Sequence, residues 1–267
     1  MDTSPCDTTQ SCNQGVCVSQ LCVPGSFNCL DDSTYEVCNS DGSGYGLGGT
    51  CDAKQQCAGT EGCQSLCDII ATAPSSVGCS FFGLNMDNFN EDNPDAIVIG
   101  NPSETLTAIV TLFSSYGGVE QAIQSGVQIP PKSLSTFTLP NGGNDVIEGT
   151  GLRTGGSFRV ESDIPVIAYQ HSPLLPQATN DASCLLPEAT LGSHHVVATY
   201  VDALNGYPSY VTIVGTQPNT SVTVKVPVTT DAGSGVPSIA AGQSMTFTLN
   251  RHDTLQIAAT AKDMTGT

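Results

Sequence analysis

Apolar and polar residues alternate from about residue 77 to the end of the chain in the way that marks strands with one buried face. The pattern begins at Val77-Gly-Cys-Ser-Phe-Phe-Gly-Leu84. It continues through the β-branched runs 96–100 and 106–113, then through Val127, Ile129, Phe137 and Leu139. Phe158 and Val160 alternate with Ser157, Arg159 and Glu161, and Ile164-Pro-Val-Ile-Ala-Tyr169 reads as an inner strand. Only 119–124 and 185–191 suggest short helical turns.

Before residue 77 there is no such periodicity. Glycine, Asn and Asp are dense there, as tight turns and short hairpins require. Large apolar residues are too few for a core. Eleven of the twelve cysteines fall in the first 79 residues: Cys6, Cys12, Cys17, Cys22, Cys29, Cys38, Cys51, Cys57, Cys63, Cys67 and Cys79; Cys184 stands alone. Disulfides closing loops near 15 residues contribute about 3 kcal/mol each and can replace the missing core. Such a framework belongs to an oxidising compartment. A zinc site fits poorly, because the region has neither a Cys-x2-Cys pair nor a histidine. An even count predicts that all twelve pair, so Cys184 must bond back to the N-terminal set, with Cys79 the favoured partner. The rest of the pairing cannot be read from spacing.

The β region contains an internal match. Ile129-Pro-Pro-Lys-Ser-Leu-Ser-Thr-Phe-Thr-Leu139 resembles Ile239-Ala-Ala-Gly-Gln-Ser-Met-Thr-Phe-Thr-Leu249 at an offset of 110, and Ile97-Val-Ile-Gly upstream resembles Val211-Thr-Ile-Val-Gly. Two related β modules are expected. The second stops before a counterpart of the Ile164–Tyr169 strand. It should therefore expose Phe247, Leu249, Leu255 and Ile257.

Charge narrows the partners. The chain has 25 acidic and 7 basic residues, for a net charge of −18. This disfavours nucleic acid and anionic membranes. No apolar run is long enough for a membrane span. Met1-Asp-Thr-Ser-Pro carries neither a basic nor an apolar stretch, so an export signal is expected outside this sequence.

The stretch Phe158-Arg-Val-Glu-Ser-Asp-Ile-Pro-Val-Ile-Ala-Tyr-Gln-His-Ser-Pro-Leu174 is followed by Asn180-Asp-Ala-Ser-Cys-Leu-Leu-Pro187, Leu191-Gly-Ser-His-His-Val-Val-Ala-Thr-Tyr200 and Val211-Thr-Ile-Val-Gly215. Together these resemble the N-terminal domain of the IgG-Fc-binding protein family over about residues 77–267. Cys22-Val-Pro-Gly25 resembles the motif that precedes this domain in bacterial members. The resemblance implies an extracellular, surface or mucus-associated binding protein. It supplies no binding motif, and it departs at Cys184, where the family usually has an aliphatic residue.

Candidate chemistry is sparse. His194 and His195, read as strand neighbours, should point to opposite faces, one buried and one exposed, and so cannot readily share a metal. His171, Asp181 and Cys184 could form a thiol site only if the fold set His171 against the sulfur. The oxygen-rich cluster from Asp87 to Asp95 lacks the calcium-loop spacing and is expected to be a solvated turn. Asn219-Thr-Ser221 is a formal glycosylation sequon. Nucleophile-elbow, zincin and phosphate-loop motifs are absent.

The expected architecture is mostly β: a disulfide-stapled module at 1–76, then tandem β-sandwich-like modules at 77–200 and 201–267, the last incomplete. A flexible connection is expected at 68–78. The expected function is non-catalytic extracellular binding or adhesion, or association with matrix, without cofactor or metal. The partner would be an extracellular protein or glycoprotein, and the site secreted or at the cell surface. A structural stalk and an unrecognised secreted hydrolase are the alternatives.

Overall fold

The computed structural model describes residues 6–7, 10–13, 15–87, 94–116, 118–140, 149–174, 180–201 and 208–267. The chain divides into two compact units, Met1–Ala73 and Pro74–Thr267.

The first unit is a set of small antiparallel pieces. Strands β1 (Gln10–Asn13) and β2 (Val16–Ser19) form a hairpin; β3 (Phe27–Cys29), β4 (Thr34–Cys38) and β5 (Tyr45–Thr50) form a three-stranded sheet; β6 (Gln55–Cys57) pairs with β7 (Cys63–Ser65). Disulfides join Cys6 to Cys17, Cys22 to Cys38, Cys29 to Cys57 and Cys51 to Cys63. Cys67 and Cys79 are disulfide-bonded as well. The side chain of Cys12 lies outside the described residues. Among the described residues of this unit, Cys38 and Cys57 are the buried hydrophobic ones, so sulfur takes the place of a core here.

A short helix, α1 (Leu66–Ala71), occupies part of the expected flexible connection. The Ser65 hydroxyl accepts from the Asp68 N–H at 3.0 Å, and Asp68 sits in the first turn, where a carboxylate is favoured.

In the second unit, β8 (Gly78–Leu84), β9 (Ala96–Gly100), β10 (Ala108–Tyr116), β11 (Val119–Ile129), β12 (Leu134–Thr138), β13 (Gly151–Ser172), β14 (Asp181–Leu185), β15 (Ser209–Val214) and β18 (Asp253–Ala259) share one antiparallel sheet; β16 (Thr220–Lys225) pairs with β17 (Ser244–Leu249) apart from it. Strand β13 organises the unit. Its 22 residues pair with β8, β9, β10, β14 and β18. From Phe158 to Gln170 every even-numbered residue of β13 is buried, while odd-numbered residues from Glu161 onward are not. Phe81, Ile97, Ile99, Val110, Leu112, Ile129, Phe137 and Leu139 are buried on the neighbouring strands.

The expected helical turn at 119–124 is strand. These residues have helix-tolerant side chains, but the hairpin with β10 sets them opposite Tyr116, Ser115, Ser114 and Phe113, and tertiary pairing overrides local propensity. The turn expected near 185–191 is present as a 3-10 turn, Glu188–Thr190.

The exposure expected of Phe247, Leu249, Leu255 and Ile257 is corrected. All four are buried with Val224, Val226, Val236, Ile239, Ala259 and Met264 in one cluster. The reason is that β18 lies between β13 and β15, and β16–β17 supplies further apolar residues to the same cluster.

The two matching stretches make the same tight turn. Ser133 N–H donates to the Pro130 carbonyl, and Gln243 N–H to the Ala240 carbonyl. Lys132 and Gly242 hold the left-handed position, at φ 54° and 76°. The strand partners differ, however: β12 pairs with β9, whereas β17 pairs with β16.

Candidate functional site

Two residues break the alternation of β13. Ser157 and Arg159 lie on the outward side, yet only 1% and 8% of each is exposed. Ser157 is covered by the turn between β17 and β18, through His252, and Arg159 is enclosed by Glu120, Glu161 and the Phe113 ring. Asn250 N–H donates to the Asp253 carboxylate at 2.8 Å, and Asp253 N–H to the Asn250 carbonyl. His252 takes φ 72° within this turn, a left-handed conformation that histidine tolerates better than most residues. The turn is docked by backbone bonds from His252 N–H to the Gly215 carbonyl and from Gly215 N–H to the Asp253 carbonyl. Asp253 Oδ1 also accepts from Gly155 N–H at 3.0 Å. Gly155 is required there: its φ is 75°, and a Cβ would lie 2.1 Å from the Ser115 carbonyl oxygen.

The turn carries Arg251 and His252 into a charged cluster on β8, β11 and β13. Arg159 is ion-paired to Glu120 and to Glu161, each at 2.6 Å, and its guanidinium lies 4.3 Å over the Phe113 ring. Arg251 grips Glu188 through both terminal nitrogens, at 2.8 and 3.3 Å, donates to the Thr216 carbonyl and stacks over Phe82. Glu188 also accepts from Ser80 and Gln217. His252 Nδ1 lies 3.1 Å from the Ser157 hydroxyl and 3.2 Å from the Ser157 carbonyl. Its Nε2 is buried without a hydrogen-bond partner, 3.6 Å from Glu120 Oε1.

Burial pushes the His252 ring below the usual histidine range, against the opposing pull of Glu120. Burial pushes Glu120 upward, but the hydrogen bond and charge of Arg159, with His252 and Arg251, outweigh it and hold the carboxyl below its ordinary range. Burial disfavours charge on Arg159, but Glu120 and Glu161 reverse that effect and raise it.

Ser157, His252 and Glu120 contain the groups of a hydrolytic triad. The hydroxyl and the ring are sealed from solvent, and the carboxylate is committed to Arg159. The arrangement fastens the β17–β18 turn to the sheet.

Beside it, residues Gly149–Arg153, Pro208, Asp231–Ser234 and Thr260 line an open cleft of about 520 Å³. Asp231 accepts there from the Thr260 N–H and hydroxyl, each at 2.7 Å.

The residues singled out from sequence are placed elsewhere. His194 and His195 are not on a strand and both are exposed; each is satisfied locally, by the Ser193 hydroxyl and the Gly192 carbonyl. The expected buried member of the pair is thereby corrected. His171 and Asp181 lie on β13 and β14, where His171 opposes Ala182 and Asp181 opposes Ser172. Cys184 opposes Tyr169, so it is a diagonal neighbour of His171 on one face. Its sulfur contacts the Leu185 carbonyl at 3.6 Å. Cys184 is an exposed free thiol, which corrects its expected disulfide to the N-terminal set; Cys79 is already oxidised.

Most of the acidic cluster, residues 88–93, lies outside the described residues. Asp95 is not solvated. It is buried, accepts from Met86 N–H at 2.8 Å, and desolvation raises it to about 6. Asp87 Oδ2 accepts from Gly149 N–H, and its carbonyl accepts from Tyr210. Burial, with Asp87 and Asp95 nearby, pushes the Tyr210 phenol up. Asn219 is exposed at a left-handed turn before β16. Among the described residues, no group of three or more His, Cys, Asp or Glu could hold a metal ion, and no helix is long and apolar enough to cross a membrane.

His252 was not singled out from sequence. The available signal was an arginine at an outward strand position, Arg159, in a chain with seven basic residues. It needed the long-range pairing to become meaningful.

One surface lies within residues 186–201. Val197 N–H donates to the Thr267 carbonyl and Gly266 N–H to the Val197 carbonyl, while Thr199 bonds Asp263, Met264 and Thr265. Tied down in this way, the stretch exposes Leu186, Leu191, Val196, Tyr200 and Val201, with Val196 at 85% and Tyr200 at 78%.

No curated protein and no solved structure matches the chain. Residues 181–267 match the family model described as IgGFc binding protein. This span contains Glu188, Arg251, His252 and the exposed apolar strip, and its strands β14 and β18 are hydrogen-bonded to β13. The chain thus carries an IgG-Fc-binding-like domain, matched over its C-terminal third and continuous by strand pairing with the sheet that precedes it.

Proposed function

We propose that this is a secreted or surface-held binding protein, without catalysis, whose IgG-Fc-binding-like domain engages an extracellular protein or glycoprotein through the strip Leu186, Leu191, Val196, Tyr200 and Val201. The observation that carries the reading is the exposure of five large apolar side chains within 16 residues, inside the family-matched span. Exposed large apolar side chains concentrated in one short, tied-down segment are a feature that marks interaction sites. Tyr200 adds an aromatic anchor of the type that dominates binding energies. The disulfides support an oxidising compartment. The burial of Ser157 and His252 supports a role without turnover, since no substrate reaches a sealed hydroxyl.

The test is capture on the immobilised disulfide-bonded protein, with IgG Fc fragment and a panel of matrix and mucin glycoproteins as probes. Capture of at least one probe, lost in Val196→Asp and Tyr200→Asp while the melting temperature is kept, is the expected result. Capture that survives both substitutions assigns binding elsewhere. Ester or peptide hydrolysis that disappears in Ser157→Ala overturns the non-catalytic reading.

A further inference from the structure

We infer that the β17–β18 turn is an acid-sensitive latch: protonation of His252 loosens the turn from the sheet and, through the Arg251–Glu188 pair, loosens the root of the exposed strip at residues 186–191.

The argument begins with the ring's surroundings. The His252 side chain is 2% exposed. Its Nδ1 faces Ser157, whose hydroxyl can donate to it or whose carbonyl can accept from it, so the neutral ring is satisfied on that side in either tautomer. Its Nε2 has no partner. A second proton would place a charge in a dry site where Nδ1–H reaches the Ser157 carbonyl but Nε2–H has no acceptor at hydrogen-bond distance, and burial of an under-satisfied charge is costly.

The charged groups around the ring offer partial relief. From β11, Glu120 is the nearest acceptor at 3.6 Å, but its Oε1 already receives Arg159 from β13. Its other oxygen is 3.7 Å from Arg251, on the ring's own turn. Asp253, also on the turn, spends its carboxylate on the Gly155 and Asn250 N–H groups. β8 contributes the Phe82 ring at 5.3 Å, and Glu188 of the 3-10 turn stands behind Arg251. An imidazolium would thus join two guanidinium groups around Glu120, while Glu161 and Glu188 pair with Arg159 and Arg251 and not with the ring. Glu120 can serve the ring only by yielding contact with an arginine. The lower-energy response is for the turn to lift, which hydrates the ring.

Lifting the turn moves Arg251. That residue holds Glu188, and Glu188 sits between Leu186 and Leu191 of the strip. The latch therefore couples proton concentration to the order of the surface assigned above to binding. That coupling rests on the proposed function; the opening of the turn does not.

The sign follows from the burial. The closed state holds His252 neutral and depresses its proton affinity, so its contribution to closure is complete above the ordinary histidine pKa of about 6.5 and is lost as pH falls through the depressed value.

The experiment is hydrogen exchange of peptides covering 249–254 and 186–191, at pH 7.5 and pH 5.0, corrected for the intrinsic pH dependence of exchange. It compares the wild type with His252→Asn, since asparagine accepts the left-handed backbone and does not titrate. The wild type should lose protection at both peptides at pH 5.0, read as a fall in the protection factor beyond the scatter between replicates. His252→Asn should lose little. Equal losses in the two proteins, or full protection of the wild type at pH 5.0, overturn the latch. Loss at 249–254 alone keeps the turn's opening and removes its link to the strip. An imidazole titration by NMR gives a second reading, independent of any variant's folding: a His252 midpoint at or above the ordinary histidine value of about 6.5 also overturns it.

Discussion

Arg159 and Glu120 are ion-paired at 2.6 Å although their strands are not neighbours; β10 runs between β13 and β11, and the arginine crosses it over the Phe113 ring. The pair ties three strands on the face opposite the core. Glu120→Ala leaves a nearly buried guanidinium with Glu161 alone, so the expected loss is about 3 kcal/mol, the low end for breaking a buried pair. Replacing both with apolar residues, Arg159→Met with Glu120→Leu, should recover most of it. Urea unfolding of the two variants checks the contrast; equal loss in both would show that the charges matter less than the packing.

Asp95 should oppose the general acid sensitivity of the protein. Its folded-state pKa is raised to about 6 by burial, so the fold favours the protonated form. Its contribution to stability is full below the ordinary value near 4 and is lost as pH rises through about 6. Asp95→Asn should therefore flatten the stability profile between pH 4 and 6. At pH 7 it should be more stable to urea, by about 3 kcal/mol less whatever the amide forfeits at the Met86 N–H. Chemical denaturation across this pH range measures it.

The cysteines should separate into two classes. Cys184 should alkylate in the native protein, and Cys184→Ser should leave stability within about 0.5 kcal/mol, as exposed substitutions do. Cys29→Ser with Cys57→Ser removes a bridge that spans 28 residues of sequence in the first unit and should cost about 2–5 kcal/mol there. Native alkylation with mass spectrometry, and thermal unfolding of each variant, distinguish them.

The paired turns give a backbone test. A Cβ on Gly242 meets no atom within 4 Å, so Gly242→Ala should act through its left-handed φ alone and destabilise by about 1 kcal/mol. At Lys132 the side chain is already accommodated, and Lys132→Gly should remove that strain while losing the exposed pair with Glu104, which contributes little. Opposite signs in differential scanning calorimetry are the expected outcome.

Much of the β unit was legible because its strands obey a period of two, and a buried face forces that period into the sequence. Ile97, Ile99, Phe137, Phe158, Val160 and Ile164 could all be read as core, and they are buried. Strand partners could not be read. The Thr-Phe-Thr-Leu stretches have the same turn and the same burial yet join different neighbours, because partner choice depends on where distant strands settle. For the same reason the His252 cluster was invisible: Ser157 and His252 are 95 residues apart, and neither lies in a local motif. The helix α1 carries a cap in Ser65 and Asp68, but its six residues bury none of their number and are too few to show a helical period.

The 22-residue strand β13 has a consequence for synthesis. Part of it, from Gly151 to Gly156, meets Ser234 at its first two residues, but its strand partner Asp253 to Gln256 arrives more than 80 residues after β13 itself is complete. At ~10 residues per second of chain elongation, that stretch of ladder stands open for roughly ten seconds. An unpaired ladder in a crowded compartment recruits other chains. The emerging chain is thus most vulnerable to aggregation in the interval between the two strands. Slowed elongation within that interval should lower the yield of folded protein more than the same delay placed after residue 260.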